Sequence, residues 1–88
     1  MQELVLLVLF DVSENRIRDK IIEKCKDYGL QRIQKSCFRG SVPASMKARL
    51  VSDIKKIVGE KPAKIFIQPV CAKCCGYSVI INNADSAV

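Results

Sequence analysis

Two segments with helical apolar spacing, set between short apolar or β-branched runs in a chain of 88 residues, predict an α/β fold. The class is a ferredoxin-like α+β sandwich, with a four- or five-stranded antiparallel sheet and two helices on one face. The length allows one hydrophobic core and not two. The order is β-α-β-β-α-β if Leu30–Gly40 holds two short strands or a sharp bend. It is β-α-β-α-β-β if that stretch runs straight. Residues 1–82 are expected to form the single domain and 83–88 a mobile tail.

Leu4–Phe10 is a seven-residue apolar run between Glu3 and Asp11. It shows no polar alternation, so it reads as a central strand buried on both faces. Ser13 is a good helix N-cap, and Ile17, Ile21, Cys25 and Tyr28 then recur at helical spacing up to Gly29. Leu30–Gly40 reads as strand, with a bulge near Ser36 or Cys37 that turns Ile33 and Phe38 inward. Pro43 fits the first turn of a second helix. Leu50, Ile54, Ile57 and Val58 give that helix its stripe, closed by Gly59. Lys64–Cys71 reads as a strand whose Pro69 places it at an edge. Tyr77–Ile81 is β-branched and reads as a final strand. Cys25, Phe10, Phe38 and Phe66 are expected in the core.

Fifteen Lys and Arg against nine Asp and Glu give a net charge of +6. That balance favours an anionic partner, while its size also suits simple solubility. The 49% apolar content excludes a disordered chain. The chain has no His, so imidazole acid–base chemistry and His metal ligation are excluded. No Walker loop or GxGxxG is present, so a nucleotide cofactor has no support. The Leu4–Phe10 run is too short to span a membrane, which takes about 20 residues, and lacks the marks of a signal peptide. Five cysteines, an odd number, fit a reduced, cytoplasmic chain.

Asp11 is the sharpest candidate for chemistry. A carboxylate at the end of a rigid strand can bind Mg²⁺, while serving the N-terminus of the following helix is the commoner use of Asp there. One carboxylate is too few for a hydrolytic metal site, and a two-fold homodimer can bring a second alongside. Arg16, Arg18 and Lys20 open the first helix, and Arg32, Lys35 and Arg39 lie on the next strand segment. These residues are candidates for neutralising nucleic-acid phosphates, or they form a solvated charged face. Arg16 and Arg18 oppose the helix dipole, which favours an anion nearby. Cys71, Cys74 and Cys75 could form half a zinc site or a redox pair, or be ordinary thiols packed at a strand end.

The apolar strand ending in Asp11, the basic first helix, the run Gly29-Leu-Gln-Arg-Ile-Gln-Lys-Ser-Cys-Phe-Arg-Gly40 and the run Ile65-Phe-Ile-Gln-Pro-Val-Cys71 occur together. In that combination, from about Leu4 to Ile81, the chain resembles the small CRISPR-associated adaptation family Cas2. The resemblance implies a ferredoxin-like fold, a homodimer, and spacer acquisition with a CRISPR integrase subunit as partner. It also implies binding of DNA or RNA, and in many members a Mg²⁺-dependent endonuclease activity. The family's metal Asp falls on Asp11. Its basic residues fall on Arg18, on Arg16 or Lys20, and on Arg32, and its Ser-x-Phe motif falls on Ser36 and Phe38. Four departures stand out. Phe10 replaces a common Tyr, Cys37 a usual Val, and Arg39 an acidic or neutral residue. The tail after Ile81 is short, which weakens any docking onto a partner's sheet.

Three alternatives stay open: a non-catalytic adaptor that holds duplex DNA, an RNA-cleaving toxin of similar fold, and a small metal or redox carrier. The carrier is the least natural, because carriers of this fold place Cys-x-x-Cys after the first strand. Here that loop holds Asp11 and Ser13.

Overall fold

In the computed structural model, which describes residues 3–71, 73 and 76–81, the elements run β1 (Glu3–Asp11), α1 (Asn15–Asp27), β2 (Gln31–Gln34), β3 (Cys37–Pro43), α2 (Ala44–Val58) and β4 (Lys64–Val70). This is the β-α-β-β-α-β order. The strands form one antiparallel sheet in the order β2-β3-β1-β4, so β1 is central and β4, with its Pro69, is an edge strand. Proline is tolerated there because an edge has N–H groups that no neighbour needs.

The two helices share one face of the sheet. Alternate residues Leu6, Val8 and Phe10 of β1 are buried against them with Phe38 and Val42 of β3. Ile17, Ile21 and Cys25 meet them from α1, and Leu50 and Ile54 from α2. Burying each such large aliphatic or aromatic side chain stabilises by about 1.5–3 kcal/mol. Phe10 and Phe38 stack with centroids 6.2 Å apart. α1 ends on Gly29 at φ +79°, a left-handed conformation that glycine adopts without steric cost.

Five sequence expectations change. β1 is central but covered on one face, so Leu9 is 40% exposed on the other side. An unbroken apolar run therefore marks a second, open face rather than a strand sandwiched between layers. Phe66 shares that open face at 55% exposure and is not core. Ser13 does not cap α1: the N-cap is Glu14, and no side chain caps the helix. Pro43 ends β3 and precedes α2 instead of occupying its first turn, because its φ of −57° and ψ of 140° keep it extended. Tyr77–Ile81 forms no strand among the described residues; it is exposed. The expected tail and Cys74 and Cys75 lie outside the described residues.

Candidate nucleic-acid interface

The chemistry-bearing residues gather at the C-terminal end of β1. Asp11 is exposed there, between buried Phe10 and Val12, which anchor the backbone on either side. The odd-numbered side chains of β1 point away from the helices, so Asp11 shares the open sheet face with Leu9. A shallow groove of about 500 Å³ runs past it, lined by Leu9, Asp11, Lys35, Ser36, Lys64 and Phe66, with Cys37 at its base.

The β2–β3 turn forms one wall. The Phe10 N–H donates to the Ser36 carbonyl at 3.1 Å, which fixes the turn to β1. Arg32 donates Nε and Nη2 to the Lys35 carbonyl at 3.2 and 2.7 Å, and its guanidinium lies 5.8 Å from the Phe38 ring centroid. Arg32 is thus a strut for the turn, and Lys35 is held exposed at the groove. Arg18 plays a matching part in the β1–α1 loop, donating Nη1 to the Val12 carbonyl at 3.3 Å and Nη2 to Asn15 Oδ1.

The candidates divide accordingly. Asp11, Lys35 and Ser36 line the groove together. Arg32 braces the wall that carries Lys35, and Arg18 braces the β1–α1 loop beyond the groove. Arg16 is exposed on the first turn of α1. Lys20 faces Ile57 of α2, outside the groove. Arg39 lies farther along the open face and donates to Ser78 Oγ at 2.9 Å. Phe38 is fully buried and acts as a core anchor, not as a surface contact. Lys64 was not singled out by the charge pattern. Its place follows only from the folded register, which pairs Asp11 at the end of β1 with Lys64 at the start of β4.

Burial pushes the Cys37 thiol above its usual pKa, and the opposing pull of Arg39 is the smaller effect. That thiol is therefore protonated near neutral pH and a poor nucleophile. Among the described residues no three Asp, Glu, Cys or His side chains come together to hold a metal. The single Asp11 carboxylate could hold Mg²⁺ only together with donors from outside the chain, such as waters, phosphate oxygens or a second carboxylate. Cys25 sits in the core and Cys71 is exposed.

The chain matches the family model for CRISPR associated protein Cas2 over residues 4–77. It is 39% identical over 67 residues to a CRISPR-associated endoribonuclease Cas2 of Desulforudis audaxviator, covering 76% of this chain and 63% of that relative. It is 32% identical over 62 residues to a CRISPR-associated endonuclease Cas1/endonuclease Cas2 fusion of Thermoproteus tenax, covering 70% of this chain and 24% of the fusion. The fold is similar to that of a cas2 crystal structure at a TM-score of 0.69 and 24% identity, covering 99% of this chain and 95% of the other. No helix among the described residues is long and apolar enough to cross a membrane.

Proposed function

The chain belongs to the CRISPR-associated Cas2 family, and on that basis we propose that it acts in spacer acquisition as a homodimer that binds duplex nucleic acid. The observation that carries this reading is the groove at the end of β1, where one carboxylate stands with two lysines beside exposed Leu9 and Phe66 on the uncovered sheet face. Leu9 and Phe66 supply an apolar surface for a second copy. A two-fold contact there would set the two Asp11 carboxylates toward a shared cleft. Exposed Arg16 and Lys35 would lie on its rim and neutralise backbone phosphates without reading bases.

Within that cleft Asp11 would hold Mg²⁺, with phosphate oxygens and waters completing the shell. Bound Mg²⁺ supplies charge neutralisation at the phosphate and a more acidic water. The chain's own contribution is rigidity and placement. β1 fixes Asp11, and the Arg32 strut fixes Lys35. No imidazole is available as a base. Asp11→Ala is expected to abolish Mg²⁺-dependent cleavage of RNA or duplex DNA, with the dimer mass unchanged. Wild-type protein that cuts neither substrate across a Mg²⁺ and pH series contradicts the catalytic part.

The single carboxylate per chain also favours a second reading, a non-catalytic adaptor that holds duplex DNA for an integrase subunit. The Cas1/Cas2 fusion of Thermoproteus tenax supports such a partner. In this reading Asp11→Ala leaves spacer acquisition intact. Arg16→Ala weakens DNA binding equally across sequences and lowers its salt slope by about one unit. DNA binding that ignores salt contradicts it.

A further inference from the structure

Lys64 occupies the most informative cationic position on the open face. It begins β4, stands directly across from Asp11 in the antiparallel register, and lines the same groove. Side chains directly opposite in such a pair share a face, with Cβ atoms about 4.5–5.5 Å apart. Lys35 reaches the groove from the other side of β1, because its turn belongs to the β2–β3 hairpin and β1 lies between β3 and β4. Asp11 therefore shares the groove with one lysine from each neighbouring side of β1.

Two other lysines have acidic neighbours within the chain. Lys24 pairs with Asp27 at 3.9 Å and Lys61 with Glu14 at 3.7 Å. Among the described residues neither Lys64 nor Lys35 makes an ion pair. A lone carboxylate repels a phosphodiester, which carries the same charge. With Lys35 and Lys64 in its lining the groove carries a net positive formal charge and attracts it. Lysine is suited to this contact as a compact point charge on a flexible stem.

We infer that Lys64 is a phosphate-contacting residue of the Asp11 groove, paired across β1 with Lys35, for the sugar-phosphate backbone of duplex nucleic acid. This rests on the nucleic-acid reading above. The role is electrostatic, so Lys64→Arg preserves it and Lys64→Gln, which keeps much of the stem, removes it.

The test is a titration of the purified full chain against a fluorescein-labelled DNA duplex of random sequence at several salt concentrations. Lys64→Gln is expected to flatten the slope of log K against log salt by about 0.9 for each Lys64 that touches the duplex. Lys64→Arg should keep the wild-type slope, and Lys64→Gln with Lys35→Gln should lose the sum of the two single effects. Lys56→Gln, on exposed α2, should leave the slope unchanged. A Lys64→Gln slope equal to wild type overturns the inference alone. Wild-type protein with no salt-dependent binding overturns the nucleic-acid reading and this inference with it. Equal losses for Lys56→Gln and Lys64→Gln also overturn it, because the effect is then one of total charge.

Discussion

Tyr28 joins the end of α1 to the middle of α2, its hydroxyl donating to Asp53 Oδ2 at 2.7 Å. Tyr28→Phe removes that bond and keeps the ring, so thermal unfolding should shift down by about 1 kcal/mol, or about 4–8 °C. Gly40 is a second sensitive point. A Cβ there would meet Leu30 Cδ2 at 2.8 Å and Leu30 Cα at 3.0 Å. The flexible tip can move but the backbone atom cannot, so Gly40→Ala should cost about 1–3 kcal/mol in a denaturant titration. Cys25 gives a pH signature. Burial pushes its thiol from 9.0 up to about 12. The unfolded chain therefore loses this proton at lower pH than the folded chain. The stability tied to the neutral thiol is complete below pH 9 and is lost as pH rises toward 12. Cys25→Ala should show a flatter fall in Tm than wild type over that interval.

At the scale of elements, the β2–β3 hairpin is where the sequence was ambiguous. Ile33, Cys37 and Phe38 fit no single alternation, because a register shift between Arg32 and Gln34 and a turn at Lys35–Ser36 break the pattern. Periodicity sees a bulge and a turn alike as lost phase. The helices were legible because Ile17, Ile21 and Cys25, and Leu50 and Ile54, needed only local spacing to declare their buried faces. Phe66 and Leu9 were misread because hydrophobicity reports a wish for burial and not which molecule supplies it. Asp11 was legible as the abrupt end of an apolar run. Lys64 was not, because its significance comes from a partner 53 positions earlier in the chain. Arg18 and Arg32 were legible as charges, but their hydrogen bonds to backbone carbonyls depend on loop geometry. Arg32→Ala should loosen the Lys35–Ser36 turn, seen as faster amide exchange at Phe10, whose N–H is what the turn protects.

For the whole molecule, the helical face is closed and the opposite sheet face is open. Exposed Leu9 and Phe66 lie on that face, and exposed Tyr77, Val79, Ile80 and Ile81 follow β4. So much exposed apolar surface on so small a chain points to a protein partner. The proposed second copy would account for it and would also supply a second carboxylate. Phe66→Glu should then separate the subunits and, with them, any Mg²⁺-dependent cleavage, while circular dichroism remains that of a folded chain. Sedimentation equilibrium of the purified wild-type chain over micromolar concentrations tests this most directly. The expected mass is about 20 kDa, twice the 9.8 kDa of the single chain, falling to one chain's mass in Phe66→Glu. A wild-type mass of 9.8 kDa throughout that range would contradict it.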